Sequence, residues 1–316
     1  MKSLYVYSSN PAAVLPDQNR VLAGLAREDL FTVVHERFLT DTALYADVVL
    51  PATSSLEQDD LYQSYGHYYL QLAKRVLSPL GEARSNWQVF SALARAFDFR
   101  EEIFSWTEEE AIKHLLAQPS PLREGITYEH LAQGKPVRLR VEKLDPYRFD
   151  TPSGKIEIAS LRALSRGQTL LPDYVEREDE TDDIYPFHLL TVPAHYTLNS
   201  SFGQDEGLQS REGGRPRLLM NPLDCRELGF FPGQMVEAYN HRGSCLFYLE
   251  ESDDLPRGLV AAPGVWWAYL SPGGRNVNCL VGDDLTDLGG GSTFYDHRVN
   301  LRLPIKPTKG SETGLE

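Results

Sequence analysis

Residues 40–51 have the sequence TDTALYADVVLP, which joins the start of a short helical turn to a β-branched strand stopped by Pro51. Two further apolar stretches precede it, at residues 4–8 and 30–34. Between these stretches, Asp17 is placed to cap a helix whose apolar residues recur at helical spacing. Strands that alternate with helices predict βαβ units and a parallel sheet.

The segment that follows, up to residue 184, contains helical signals and connecting sequence. Ser85 is placed to cap a helix that ends near Phe99. The apolar face predicted for this helix consists of Trp87, Phe90, Leu93, Ala94 and Phe97. Shorter helices are predicted at 107–118 and 128–133, together with a hairpin-like stretch at 155–158. The acidic run at 176–183 is interpreted as a solvated linker.

From residue 185 onward, strand-length apolar runs are separated by glycine and proline. This pattern predicts a small β-barrel with one short helix at residues 222–228. A hairpin turn is predicted at residues 240–243. The apolar runs lie at residues 187–192, 218–220, 235–239, 245–249 and 259–262.

Composition excludes several classes of function. The 316 residues include 31 Lys and Arg against 45 Asp and Glu, a net charge of −14, which argues against nucleic acid and anionic membranes as partners. No apolar run is long enough to cross a bilayer, so we expect no membrane insertion. Cys225, Cys245 and Cys279 form no CxxC pair, which argues against a metal or iron–sulfur site made by this chain alone. Their odd number favours a reducing compartment, and we expect a cytoplasmic protein.

Five strings, in this order, resemble the dimethyl sulfoxide reductase family of molybdopterin oxidoreductases. The first three are TDTALYADVVLPA at 40–52, GEARSNW at 81–87 and FDTPSGKIE at 149–157. The fourth is MNPLD at 220–224, continued by GQMV at 233–236. The fifth combines NCL at 278–280, residues 287–291, and FYD at 294–296. The strings are spread over nearly the whole chain, which makes the resemblance specific.

The resemblance implies an α/β Rossmann-like partial domain with a parallel sheet, followed by a C-terminal six-stranded double-psi β-barrel. Residues 1–105 would be the later half of the Rossmann-like domain, 106–184 a connecting region and 185–308 the dinucleotide-binding barrel. A disordered tail is expected at 309–316. In the family, these two regions hold the nucleotide arms and pterins of molybdopterin guanine dinucleotide, which carries molybdenum or tungsten.

The resemblance also implies that the metal ligand and any iron–sulfur cluster belong to upstream sequence. We therefore expect a fragment or split-gene subunit that contains no catalytic residue and no metal ligand, and that is inactive alone. The expected partner is the upstream half of the same enzyme or a split subunit, with electron-transfer subunits as further partners.

Three candidate cofactor-binding residues follow the predicted strands, where parallel sheets bind ligands. Asn10 can bond a ribose or base edge, or simply form a turn. Glu36 can accept a hydrogen bond from a ribose hydroxyl or a guanine amine, and Thr40 lies in the same loop. We expect His35 to be a surface residue and Asp47 to have a structural role as a cap or turn acceptor.

The remaining candidates belong to the barrel. His195, Asn199 and Ser200 form a donor-rich loop that suits phosphate or pterin edges, and a neutral His195 can tune the protonation of a pterin. A glycine run allows a backbone to approach a ligand with its N–H groups. The alternatives are a hydrogen-bonded loop histidine and a flexible glycine hairpin. The candidates around the glycine run are Asn278, Gly290, Gly291 and Tyr295.

The leading hypothesis is the cofactor-binding C-terminal portion of a molybdopterin-dependent oxidoreductase, in which the cofactor does the redox chemistry and the protein orients it. A second hypothesis is a non-catalytic nucleotide-binding or subunit-assembly module. A third is a remnant that folds but binds nothing.

Overall fold

Three β-sheets organise the part of the protein that the computed structural model describes, namely residues 1–141, 147–174, 184–286 and 289–304. The first sheet is parallel and consists of β1 (Ser3–Tyr7), β2 (Phe31–Glu36) and β3 (Val48–Pro51), in that order. The helices α1 (Pro11–Val14) and α2 (Gln18–Leu25) connect β1 to β2. The parallel sheet predicted from the alternation of strands and helices is therefore confirmed.

Capping residues start the helices where the sequence predicts. The Asp17 side chain accepts a hydrogen bond from the Arg20 backbone N–H at the start of α2. Ser85 forms a capping box with Gln88 at the start of α3 (Asn86–Ala96). Thr107 forms a capping box with Glu110 at the start of α4 (Glu108–Ala117). Such side-chain acceptors satisfy N–H groups that have no partner within the helix, which fixes the first residue of each helix.

The apolar face predicted for α3 is wrong at two positions. Phe90 is 39% exposed and Phe97 is 73% exposed, whereas Val89 and Ala94 are buried. Phe90 packs against the rings of Tyr7 and Tyr5, with centroids 4.9 and 5.5 Å away, but the far side of Phe90 is open to solvent. Helical periodicity identifies apolar side chains, but it does not determine whether a second layer covers them.

A second, antiparallel sheet was not predicted. It consists of β4 (Asp60–Tyr62), β5 (Tyr69–Ala73) and β6 (Val137–Arg138), and it packs against α4 and α5 (Tyr128–Leu131). The hairpin-like stretch predicted at 155–158 forms no strand. Instead, Thr151 Oγ1 donates to the Lys155 carbonyl, and Gly154 has a φ of +66° that turns the chain. The short helix α6 (Leu161–Leu164) follows.

The third sheet is a closed six-stranded barrel, as predicted. Its strands are β7 (Phe187–Leu190), β8 (Arg217–Met220), β9 (Met235–Tyr239), β10 (Ser244–Glu251), β11 (Leu259–Ala261) and β12 (His297–Arg302). The barrel order is β10-β8-β11-β7-β12-β9. Helix α7 (Glu206–Arg211) precedes β8, and α8 (Pro222–Leu228) occupies the range predicted for it. The predicted 240–243 turn joins β9 to β10, where Asn240 N–H donates to the Gly243 carbonyl.

A buried set of polar contacts, called here the polar seam, joins the parallel sheet to the barrel. Gln18 is fully buried, its Oε1 accepts from the Asn276 backbone N–H at 3.0 Å, and its Nε2 donates to the Ala12 carbonyl at 2.9 Å. The side chains of Asn276 and Asn278 both donate to the Ala13 carbonyl, at 3.0 and 2.8 Å. Each buried polar group has a partner here, so the seam fixes the position of α1 against the barrel.

Three further observations concern the described residues. None of their helices combines the length and apolar composition needed to span a bilayer. No group of three or more His, Cys, Asp or Glu side chains among them is arranged to hold a metal ion. Cys225, Cys245 and Cys279 are all buried and free. The acidic run at 176–183 and the tail at 309–316 lie outside the described residues.

Gln18→Leu tests the polar seam. The substitution leaves the Asn276 N–H and the Ala12 carbonyl buried without partners, and each such group costs about 1–3 kcal/mol. We expect the free energy of unfolding in urea to fall by at least about 2 kcal/mol. The control is Gln71→Leu on an exposed position of β5. Equal stability of the two variants would contradict a stabilising seam.

Candidate functional site

A cavity of about 270 Å³, called here the strand-end cavity, lies at the carboxyl ends of β1 and β2. One wall is formed by Ser8, Ser9 and Asn10 after β1, together with the loop that follows Glu36. The opposite wall comes from the barrel, through residues of the 198–204 loop and Trp267. Sheet and barrel residues thus share one cleft, as parallel-sheet topology leads us to expect.

Two buried amide groups in this cavity have an unused hydrogen-bonding atom. Asn10 is 5% exposed, and its Oδ1 accepts from the Thr42 N–H and Oγ1 at 3.1 and 2.8 Å. Its Nδ2 lies close enough to the Asp41 carboxylate to lower that group's pKa, but forms no hydrogen bond of good geometry. The Oε1 of Gln204 is likewise buried without a partner. Unsatisfied buried polar groups are costly, so two residues with such groups lining one cavity fit a site for a polar ligand.

Glu36 and Thr40 lie beside these amides. Glu36 is nearly buried, and its Oε1 accepts from the Arg37 backbone N–H at 2.7 Å. The Arg37 guanidinium is 3.6 Å from the same oxygen. Thr40 is buried, and its Oγ1 accepts from the Ala43 N–H at 3.2 Å, which starts the short 3-10 turn that the sequence predicted. Glu36 therefore presents a carboxylate to the cavity, whereas Thr40 mainly shapes the loop.

Asp41 links the strand-end loop to the barrel. Its two carboxylate oxygens accept from the backbone N–H groups of Ala268 and Tyr269 at 3.0 and 3.1 Å, at the start of the 3-10 turn Ala268–Leu270. Burial raises the pKa of the Asp41 carboxyl, and the two N–H groups oppose this effect. The carboxylate is thus a buried acceptor that holds the two walls of the cavity together.

The barrel-side loop has an unusual backbone. Asn199 and Phe202 have φ values of +51° and +65°, and Ser8 on the other wall has a φ of +49°. Left-handed backbone is strained for a side chain as bulky as Phe, and such residues concentrate at ligand sites. Ser200 lines the strand-end cavity. His195 is exposed, packs edge-on against Tyr196 and does not line the strand-end cavity.

A second cavity of about 280 Å³, called here the barrel cavity, lies on the other side of this loop. It brings together three of the predicted residues, Asn199, Asn278 and Tyr295. Asn278 is almost fully buried, and its Nδ2 is already bonded to the Ala13 carbonyl in the polar seam. Tyr295 is half exposed at the rim. His195 does not line this cavity either.

The glycine run lies apart from both cavities. Gly290 N–H donates to the Thr286 carbonyl, and Gly291 N–H donates to Thr286 Oγ1 at 3.0 Å. These N–H groups are therefore used within a hairpin, which matches the alternative interpretation of the run. Residues 287 and 288 of the same motif lie outside the described residues.

Two expectations about structural residues have different outcomes. His35 was expected at the surface, and this is wrong: the side chain is fully buried, with Nε2 3.1 Å from the Arg84 carbonyl. It is buried because residue 84 adds to the sheet beyond β3 through a bridge with Ala52, which covers this end of β2. Asp47 is structural as predicted, since its Oδ2 accepts from the Thr32 N–H at 2.6 Å.

Family models match both halves of this cleft. Residues 1–96 match the molybdopterin oxidoreductase model, and residues 187–298 match the molydopterin dinucleotide binding domain. The chain belongs to the molybdopterin oxidoreductases. It is 40% identical over 303 residues to a probable oxidoreductase, YoaE, of Bacillus subtilis, covering 95% of this chain and 44% of the relative. It is 30% identical to a dimethyl sulfoxide/trimethylamine N-oxide reductase of Cereibacter sphaeroides, covering 90% of this chain and 38% of that protein.

A solved structure supports the fold of this molybdopterin oxidoreductase chain. Acetylene hydratase from Pelobacter acetylenicus superimposes with a TM-score of 0.81 at 23% identity, over 96% of this chain and 44% of that one. At this identity, the likeness concerns the fold alone. The chain spans less than half the length of the relatives it matches.

Sequence reasoning missed two residues of the site, Gln204 and Trp267. Gln204 lies four residues after Ser200 of the predicted donor-rich loop, but an isolated Gln carries no signal that its side-chain oxygen will be buried and without a partner. Trp267 lies 67 residues from its hydrogen-bond partner Ser200, and no local pattern reports such a contact. Asp41 is part of the family-like string at 40–52, yet its partners are 227 and 228 residues away.

The raised pKa of Asp41 predicts a pH dependence. Because its folded-state pKa lies above the ordinary value of 3.8, the stability it contributes is fully present below 3.8 and is lost as pH rises through the folded-state pKa. We expect the free energy of unfolding of the wild type, relative to Asp41→Asn, to fall as pH rises through this window. Urea denaturation at a series of pH values measures it.

Asp29 provides a control of opposite sign. Side-chain hydrogen bonds from Arg27 and then Lys2 lower the pKa of Asp29 to about 2. The stability of the wild type relative to Asp29→Asn should therefore rise with pH between about 2 and 3.8. If the stability difference between wild type and Asp41→Asn changed with pH in the same direction as that between wild type and Asp29→Asn, Asp41 would not be a buried carboxyl with a raised pKa.

Proposed function

We propose that this chain holds the nucleotide arms and pterins of molybdopterin guanine dinucleotide in the cleft between its parallel sheet and its barrel. It does so as the C-terminal portion of a molybdopterin-dependent oxidoreductase. One observation carries the proposal: Asn10 Nδ2 and Gln204 Oε1 are buried and unpartnered in a cavity that both halves of the chain enclose. Their open donor and acceptor fit a nucleotide, which offers both kinds of group.

Strand pairing supports a division into domains. We propose that residues 1–105 are the later half of a Rossmann-like domain, that 106–184 connect, and that 185–308 form a double-psi barrel. Supporting the last assignment, β7 pairs in parallel with β11, and β8 with β10, although neither pair is adjacent in sequence. Such pairings require connections that cross the ends of the barrel.

Each of the two cavities receives a different part of the cofactor in this proposal. Glu36, Asn10 and Gln204 bond the ribose and base edges in the strand-end cavity. Asn199 and Tyr295 border the barrel cavity, with His195 near its loop and the Gly290–Gly291 hairpin beyond its rim. When bound, the cofactor supplies two-electron transfer, and this chain orients it and excludes water.

In this proposal, the metal ligand and any iron–sulfur cluster belong to the upstream half of the same enzyme or to a split subunit, and not to these 316 residues. The chain alone is then inactive, and the assembled enzyme is cytoplasmic and able to contact electron-transfer subunits. Supporting a partner, β1 lies at the edge of the parallel sheet, and no described strand pairs with its outer side. Tyr7 and Phe90 are exposed beside it, and unpaired edges with apolar neighbours are association sites.

Co-expression tests the two-polypeptide arrangement. The chain is produced alone and together with the part of Bacillus subtilis YoaE that it does not match, in a host that makes the cofactor. We expect molybdenum, and GMP released by acid hydrolysis, to co-purify with the pair and not with the chain alone. Retention by the chain alone would instead favour a stand-alone nucleotide-binding module. Absence from both samples would contradict the proposal.

Hydrogen exchange with a free nucleotide tests the site within the chain itself. GDP at high concentration should slow amide exchange at residues 8–10, 36–40 and 198–204. ADP should protect less, because acceptors such as Glu36 match the N–H edge of guanine. Glu36→Gln should weaken the GDP effect, whereas Glu250→Gln, in an exposed ion pair with Arg217 on the barrel, should not. Protection confined to other regions would contradict the site.

A further inference from the structure

The indole of Trp267 contacts the barrel-side loop at its centre. Trp267 is 2% exposed, and its Nε1 donates to the Ser200 carbonyl at 2.7 Å. The same ring lies close to Gly203, where an added Cβ would lie 2.5 Å from Nε1 and 2.7 Å from Cδ1. The loop therefore approaches this one side chain more closely than any residue other than glycine allows.

The backbone that follows Trp267 contacts the opposite wall of the strand-end cavity. The next two residues, Ala268 and Tyr269, donate their N–H groups to the Asp41 carboxylate. The Trp267 carbonyl accepts from Ser271 Oγ at 2.9 Å, which closes this turn. A continuous path of short contacts thus runs from the strand-end loop, through Asp41 and Trp267, to Ser200.

The loop on the far side of this path is held mainly by its own turns. Ser201 N–H donates to the Leu198 carbonyl at 2.9 Å, and Asp205 N–H donates to the Phe202 carbonyl at 3.0 Å. Asn199 and Phe202 adopt left-handed backbone, which is disfavoured unless the surroundings enforce it. The hydrogen bond from Trp267 is one such enforcing interaction, because it fixes Ser200, which lies between Asn199 and Phe202.

We propose that Trp267 is a positioning residue that sets the width of the strand-end cavity. It holds Ser200 and Gly203 at a fixed distance from the wall formed by Asn10 and Glu36. It thereby holds Gln204, which lines the same cavity and whose Oε1 has no partner, beside the space that the nucleotide occupies. This inference rests on the proposed function for its ligand, but the loop contact itself can be measured without any ligand.

Two substitutions perturb the same contact from opposite sides. Trp267→Phe removes the Nε1–H donor and leaves the Ser200 carbonyl without it. Gly203→Ala keeps an allowed backbone, but its Cβ displaces the loop from the indole. One net hydrogen bond corresponds to about a tenfold change in an equilibrium. In the double variant, the smaller ring makes room for the added Cβ, so the two effects are not additive.

The experiment measures hydrogen exchange and GDP affinity on the full chain. Without nucleotide, we expect exchange at Ser201, Gly203 and Asp205 to rise about tenfold in Trp267→Phe and in Gly203→Ala. The matched control Trp87→Phe, which removes a comparable indole N–H donor to the Trp106 carbonyl, should leave these amides unchanged, and the barrel amide of Cys245 serves as reference. GDP affinity should fall about tenfold in each single variant, and no further in the double variant.

The outcomes separate the two proposals. Loop exchange that stays at the wild-type rate in both single variants overturns the positioning role. So does faster exchange with unchanged GDP affinity, because the loop would then move without affecting the site. A wild type whose cleft shows no GDP protection overturns the proposed function instead. Equal thermal midpoints for Trp267→Phe and Trp87→Phe, with GDP affinity lost only in the former, support positioning over general destabilisation.

Discussion

The hydrogen bonds of Gln18 with Asn276 and Ala12 are the constraint on which the rest of the structure depends. The strand-end cavity is lined by residues of both the sheet and the barrel, and the polar seam holds α1 against the barrel beside it. A seam of amides and carbonyls has directional requirements that an apolar contact lacks, so it fixes orientation as well as proximity. Asp41 adds a charged acceptor at the other end of the same junction.

Much of the fold could be predicted because its signals are local. Apolar runs gave the strands of the parallel sheet and five of the barrel strands, and Asp17, Ser85 and Thr107 gave helix starts through their own side chains. The strand β12 was missed because His, Arg and Asn alternate with only two apolar residues along it. The sheet of β4, β5 and β6 was missed because its strands are short and β6 is separated from β5 by the helices that cover it.

The positions of site residues could be predicted where they follow from the order of the strands. They could not be predicted where they depend on contacts between residues distant in sequence. Asn10, Glu36 and Thr40 follow parallel strands, so their position at one sheet edge follows from the strand order. The family resemblance gave the barrel residues, and the structure gathers Asn199, Asn278 and Tyr295 but leaves His195 and the glycine hairpin outside both cavities. Burial of His35 and the role of Trp267 depend on partners 49 and 67 residues away, which no window of sequence reports.

The sequence separation between the residues of the polar seam also determines when the cleft forms during folding. Gln18 and its partner Asn276 are 258 residues apart, so the contact can form only after synthesis has passed residue 276. Loop closure over such a span is entropically costly and slow compared with local folding. Sheet and barrel can each begin to form from nearer contacts, but the compartment between them is completed last. In the proposed function, binding of the cofactor between them is therefore a late step that follows synthesis of both halves.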